Sequence, residues 1–238
     1  GRIRGKSSEF QILLGGHYDT HFWGFQDDCC AVGLVLAAAK AMLDIGFEPE
    51  NDIVFCLHGA EEWGSSYTQF DWTVGAWEMI NTLHPEWVGK TLAFLNFELP
   101  AYEFATYTTT YSAPEMFSLL RDFTTRYPYA PKPQGCFPDG VLTEGYQTYT
   151  YSDDFSYYAA GVPSTVNGFL LQKDMEHVHP FYIDYYHTQY DTPDTYNDAV
   201  MAFNLRYYGA LAMYIDQMPA ADLDFTAQTA RLTAAMDK

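Results

Sequence analysis

The sequence predicts an α/β fold: a mostly parallel central sheet flanked by helices on both faces. Three observations lead there. The stretches Phe10–Gly16, Asp52–Leu57 and Thr91–Phe97 are apolar runs without the strict alternation of a half-exposed strand, as expected of strands covered on both sides. Segments of helical character fall between them, the order that builds parallel sheets. The chain has 238 residues, of which 48% are hydrophobic, which suits one good-sized domain.

Taken in order, Phe10–Gly16 is the first strand, closed by a Gly-Gly pair. Ala31–Leu43 is rich in Ala and Leu and predicts a buried helix. Asp52–Leu57 is the second strand. Ser65 and Ser66 are candidate caps for a helix running toward Asn81. Thr91–Phe97 is the third strand. Tyr102–Tyr111, rich in Thr and Tyr, predicts a more exposed strand. Ala113–Arg126 is a helix stopped at Tyr127-Pro128, and Tyr127–Tyr151 reads as a long loop or lid. A short helix over Asp154–Ala160 precedes a fourth buried strand, Val162–Leu171. Helices over Ala199–Met218 and Leu223–Met236 complete the chain. Residues 1–218 are expected to form the main domain and 219–238 a terminal helical segment.

Charge narrows the function classes. There are 31 Asp and Glu against 12 Lys and Arg, a net charge of -19, so no basic face is available to neutralise nucleic-acid phosphates or an anionic bilayer. No apolar run reaches the roughly 18 residues of a membrane-spanning helix. The start, Gly1-Arg-Ile-Arg-Gly-Lys6, has neither an initiator Met nor the apolar core of a leader peptide, and the chain reads as a piece of a longer protein. Cys29, Cys30, Cys56 and Cys136 show no Cys-x-x-Cys spacing, which argues against a thiolate metal site and for buried thiols. The 20 Tyr suit packing or an aromatic substrate cleft. His17-Tyr-Asp-Thr20 and Gln189-Tyr-Asp-Thr192 share a tripeptide too short to mark a duplication.

The informative residues follow the apolar runs. His17 and Asp19 come after the first strand, and Asp27 and Asp28 stand before the first long helix. His58, Glu61 and Glu62 come after the second strand, Glu98 after the third, and His187 far downstream. Each piece has a plain alternative: Asp27-Asp28 as a helix cap, Glu61-Glu62 as a solvated face, His187 as an ordinary polar side chain. Their conjunction at strand ends places like charges together, which a bound cation would relieve. A His and carboxylate set without Cys suits catalytic zinc, and two His with several carboxylates suffice for a pair of ions. Cobalt or manganese would also suit these donors.

These residues carry a resemblance. Gly15-Gly-His-Tyr-Asp-Thr20, Asp28 before a helix, Gly59-Ala-Glu-Glu-Trp-Gly64, Asn96-Phe-Glu98, Ser152-Asp-Asp-Phe155, Gly161-Val-Pro-Ser164 and Tyr186-His-Thr188 together resemble the M28 family of zinc exopeptidases. That family includes aminopeptidases, glutamate carboxypeptidase II and the metal-free transferrin receptor. The resemblance spans about Phe10 to Met218. It implies two zinc ions, one held by His17 and Glu98, the other by Glu62 and His187, with Asp28 bridging and Asp27 as the alternative bridge. It further implies Glu61 as general base, Asp19 as the group orienting the His17 ring, and Tyr186 as a hydrogen-bond donor to the oxyanion. Asp153 or Asp154 would meet a substrate ammonium. The expected reaction is hydrolysis of N-terminal peptide bonds. A one-zinc glutaminyl cyclase reaction, needing only Asp28, Glu62 and His187, is the alternative within enzymes, and a receptor-like binding domain the alternative outside them. This sequence has Glu98 where the family has Asp, and Asp28-Cys-Cys-Ala-Val32 where it has Asp-Asn-x-Ser-Gly. The family's opening helix and first strands have no counterpart before Gly1, and a homodimer is one expectation for such a piece. The family also implies an extracellular or cell-surface location.

Overall fold

In a computed structural model the described residues are 1–64, 67, 72–102, 105, 107–127, 136–137, 140–145, 152–170, 184–218 and 223–236. The strands are β1 (Arg2–Ile3), β2 (Gln11–His17), β3 (Asp52–His58), β4 (Thr91–Asn96), β5 (Tyr107–Ser112), β6 (Gly140–Gly145) and β7 (Ser164–Leu170). The helices are α1 (Cys30–Asp44), α2 (Val74–Glu78), α3 (Phe117–Arg126), α4 (Asp153–Ala159), α5 (Asp198–Gln217) and α6 (Thr226–Met236). One sheet holds all seven strands in the order β1-β3-β2-β4-β7-β5-β6. β2 is parallel to both β3 and β4, β4 to β7, and β5 to β6. Only β1 on β3 and β5 on β7 run antiparallel.

The apolar runs are explained by two cores, one on each face. Ile12, Leu14, Ile53, Phe55, Ala93 and Leu95 point into a layer with α1 and α5, where Leu34, Val35, Tyr208 and Leu211 meet them. Their neighbours Leu13, Val54, Cys56 and Phe94 point the other way, onto Ala76 of α2, Tyr157 of α4, Ile80 and Trp87. Successive strand side chains alternate between faces, so a strand covered on both sides must be apolar throughout. Each buried Leu, Ile or Phe contributes roughly 1.5–3 kcal/mol by leaving water. Among the described residues no helix is long and apolar enough to cross a membrane.

Several expectations need correction. The Thr-rich strand is not exposed: Thr108, Thr109 and Thr110 are buried in β5, which lies inside the sheet between β7 and β6. Two of the hydroxyls are accommodated by hydrogen bonds, Thr108 Oγ1 to the Gly168 carbonyl at 2.7 Å and Thr110 Oγ1 with Tyr208 Oη at 2.9 Å. Part of the expected loop is strand β6, paired with β5; most of the rest of Tyr127–Tyr151 lies outside the described residues. The helix toward Asn81 starts only at Val74 and runs on as a wider turn through Leu83, while Ser65 and Ser66 are outside the described residues. The terminal helix α6 has no buried residues and is tied back by Gln228 Nε2 donating to Tyr158 Oη at 2.9 Å.

The parallel register aligns the carboxyl ends of β2, β3 and β4, with His17 opposite His58 and Gly15 opposite Asn96. The turn after β3 is fixed from outside. The amides of Thr73 and Val74 donate to the carbonyls of Glu61 and Ala60 at 2.8 and 3.0 Å. A Cβ on Gly75 would lie 1.7 Å from the Gly59 carbonyl oxygen, so only glycine allows α2 to approach this turn. Gly75→Ala is therefore expected to cost at least about 1–3 kcal/mol in urea unfolding and to weaken divalent-ion binding, because the displaced turn carries Glu61 and Glu62.

Candidate metal centre

At the end of β2, His17 is fully buried. Its Nδ1 lies 2.8 Å from the carbonyl oxygen of Asp19. A carbonyl can only accept, so Nδ1 carries a proton and Nε2 is the nitrogen left to meet a cation. Nε2 faces Asp27 Oδ1 at 3.2 Å, Glu98 Oε2 at 3.6 Å, Asp28 Oδ2 at 3.8 Å and Glu61 Oε2 at 3.8 Å. A second imidazole, His187, stands across the cluster. Its Nε2 is 3.0 Å from Asp27 Oδ2 and 3.2 Å from Glu62 Oε2. Asp27 thus turns one oxygen toward each histidine. Asp28, joined to it by a cis peptide, divides its carboxylate: Oδ1 accepts from the Leu99 amide at 3.2 Å, while Oδ2 is turned toward His17. Gly16 makes room for the other oxygen, since a Cβ there would sit 3.0 Å from Asp28 Oδ2.

Carboxylates and amides fix the backbones that carry these groups. Asp19 meets the His17 ring chiefly through its backbone carbonyl, its Oδ1 being 3.6 Å from Nδ1. The Asp19 carboxylate also accepts from the amides of Glu61 and Glu62 at 3.1 and 3.2 Å. Asp191 does the same for the amides of Gln26 and Asp27 at 2.9 and 3.1 Å. Asn167 grips the Glu98 backbone from both sides, accepting from its amide at 2.8 Å and donating to its carbonyl at 2.7 Å. Ser152 Oγ donates to Glu98 Oε1.

Burial makes this concentration of charge costly. Burial, then the nearby Glu98, pushes the carboxyls of Asp28 and Glu61 well above the usual range, and burial raises Glu98 itself. Burial also acts to raise Asp27, but His17 and His187 outweigh it and hold that carboxyl down at about 2. His187 is lowered by burial, yet Asp27 and Glu62 bring it up to about 9. A cation fits the arrangement. His17 Nε2, Asp27 Oδ2, Asp28 Oδ2, both oxygens of Glu62 and His187 Nε2 are buried without a hydrogen-bond partner, though they crowd one another. Zinc bonds of about 2.0–2.1 Å in a tetrahedron put neighbouring donors roughly 3.3 Å apart, close to the spacings seen. Within 4.8 Å the ligand atoms form the groups His17–Asp27–Glu98, His17–Glu61–Glu62 and His21–Glu62–His187.

The remaining expected residues are Tyr186, Asp153 and Asp154. Tyr186 stacks on His187 with ring centroids 3.8 Å apart, and burial holds its phenol above the ordinary range. Asp153 is turned into the interior. It is fully buried, with Oδ2 2.7 Å from His58 Nδ1, while His58 Nε2 meets Tyr157 Oη at 3.0 Å. The physical reason is the alternation of β3, which turns His58 toward α4 beneath the sheet end. Asp154 is half-buried, its carboxyl raised by burial and then by Glu98.

Residues 1–209 match the sequence model of peptidase family M28. The chain belongs to that family. No curated protein sequence matches it. Several solved structures share its fold. The zinc aminopeptidase BSAP of Bacillus subtilis superposes with a TM-score of 0.71 at 16% identity, over 94% of this chain and 51% of that one. The LapA aminopeptidase of Legionella pneumophila gives 0.67 at 18% identity, over 88% and 52%. Porphyromonas gingivalis glutaminyl cyclase gives 0.58 at 20% identity, over 87% and 71%. This M28 chain spans about half the length of the aminopeptidases it resembles.

His21 and Asp191 follow no apolar run in the sequence, and His58 differs from the other strand-end residues in its buried partner. The repeated Tyr-Asp-Thr was the available signal for Asp191. The buried His58–Asp153 pair gives a pH test. Burial lowers His58, but Asp153 outweighs it and raises the imidazole from 6.5 to about 10. Its contribution to stability is full below about pH 6.5 and is lost as pH rises through about 10. His58→Gln should remove that component of the pH dependence of thermal unfolding, and should cost about 3–5 kcal/mol at pH 7 because Asp153 loses its partner in the interior.

Proposed function

We propose that this chain carries the centre of a zinc-dependent aminopeptidase that uses two ions. The observation that carries the reading is Asp27, with one oxygen 3.2 Å from His17 Nε2 and the other 3.0 Å from His187 Nε2. One ion would be held by His17, Asp27 and Glu98, the other by Asp27, Glu62 and His187. The bridging role moves from Asp28 to its neighbour, and Asp28 instead secures the Leu99 amide next to Glu98. Family membership and the fold shared with zinc aminopeptidases support the choice of metal and reaction.

When bound, such ions lower the pKa of a water toward about 7 and polarise a carbonyl oxygen. Glu61, whose Oε2 lies 3.8 Å from His17 Nε2, takes the proton of the attacking water and delivers it to the leaving nitrogen. Burial keeps the Glu61 carboxyl readily protonated, which suits the second half of that transfer. Tyr186, beside His187, donates to the developing oxyanion. Asp154 and the net charge of -19 favour a substrate ammonium, hence cleavage at the N-terminus.

The one-ion cyclase reading draws on the glutaminyl cyclase likeness, and metal stoichiometry by plasma emission separates the two. For the peptidase, Glu61→Gln should keep both zinc ions and lose about 10²–10⁴ of turnover on aminoacyl fluorogenic peptides. Asp27→Asn should lower zinc content, whereas Asp28→Asn should retain it. Full turnover in Glu61→Gln would refute the base assignment.

A further inference from the structure

His21 stands in the loop between β2 and α1 and has no part in the two-ion reading above. Its Nε2 is 3.3 Å from Glu62 Oε2. That oxygen is also 3.2 Å from His187 Nε2, and the two imidazole rings are tilted together with centroids 4.4 Å apart. Glu62 is buried, only 7% exposed, yet neither of its side-chain oxygens takes part in a hydrogen bond. An imidazole serving only to satisfy Glu62 would aim an N–H along the line to the oxygen. Here two ring nitrogens sit beside the same oxygen without that alignment, in the way that ligands of one ion sit beside each other. The three atoms lie within 4.8 Å of one another, and the spacings of 3.2 and 3.3 Å match the roughly 3.3 Å edge of a zinc tetrahedron.

We infer that His21 is an additional ligand, through Nε2, of the ion held by Glu62 and His187. The inference rests on the two-ion reading above and makes the two positions unequal. With His21, Glu62 and His187 the second position would have three donors within 4.8 Å of one another, and Asp27 Oδ2 stands 3.0 Å from His187 Nε2 at its edge. The first position would have His17, Asp27 and Glu98, with Glu61 Oε2 3.8 Å from His17 Nε2. Water activation would then fall to the position beside Glu61, and the His21 position would serve to anchor the shared carboxylate.

Calorimetric titration of the apo chain with zinc, together with ¹⁵N spectra of the imidazoles, tests this without any turnover assay. Two ions are expected. The Nε2 signal of His21, identified by its absence in His21→Gln, should shift on filling. His21→Ala should weaken one ion by about 100-fold or more, since even outer partners of metal ligands are worth about 10–100-fold, and leave the other close to its original affinity. That retained ion reports that the variant is folded. His21→Asp, which restores a donor oxygen, should recover most of the lost affinity. Two ions with unchanged affinities in His21→Ala and an unmoved His21 Nε2 signal would overturn the assignment while leaving the two-ion reading intact. Fewer than two ions in the unaltered chain would overturn that reading and the assignment with it.

Discussion

Negative charge packed into a nearly dry pocket is the condition that the rest of this molecule answers. Asp27, Asp28, Glu61, Glu62 and Glu98 converge on His17 and His187, and all but Glu98 are almost wholly excluded from solvent. Isolated ions in such a place would be strongly disfavoured. Two compensations are visible. Backbone amides neutralise the carboxylates that hold the loops, and imidazoles stand between the carboxylates that face inward. What they leave unsatisfied is a set of lone pairs pointing at one another, which divalent cations satisfy and protons satisfy poorly.

The sheet makes this convergence possible. Three adjacent parallel strands end at one edge, so the first polar residue after each apolar run falls into the same small volume. The helices on either face do more than cover the strands. α2 presses on the turn bearing Glu61 and Glu62 through Gly75, and α4 anchors the end of β3 through the buried His58–Asp153 pair. A rigid layered core thereby delivers side chains from loops that would otherwise be free to part.

Much of this was readable from the chain. Continuous apolar runs named the buried strands, and the polar residues after them named His17, Glu61, Glu62 and Glu98. What escaped depended on direction in space. Asp27 and Asp28 are indistinguishable by type and position, and only the path of the backbone decides which one lies between the histidines. The resemblance offers Asp153 or Asp154 to a substrate ammonium, and only strand alternation shows that Asp153 meets His58. Thr108 and Thr110 of β5 look like surface residues until their hydroxyls find Gly168 and Tyr208. His21 fits no spacing rule, because its neighbours Glu62 and His187 are distant in sequence.

The two Tyr-Asp-Thr segments, too brief to show common descent, perform one task twice. Asp19 lies just beyond one histidine and grasps the amides of Glu61 and Glu62; Asp191 lies just beyond another and grasps those of Gln26 and Asp27. Each imidazole is thus encoded next to the aspartate that shapes somebody else's ligand. A chimera joined anywhere between Asp28 and Asp191 inherits a mismatched pair unless both parents agree at these positions, so the stretch from residue 17 to residue 191 behaves as a single heritable block.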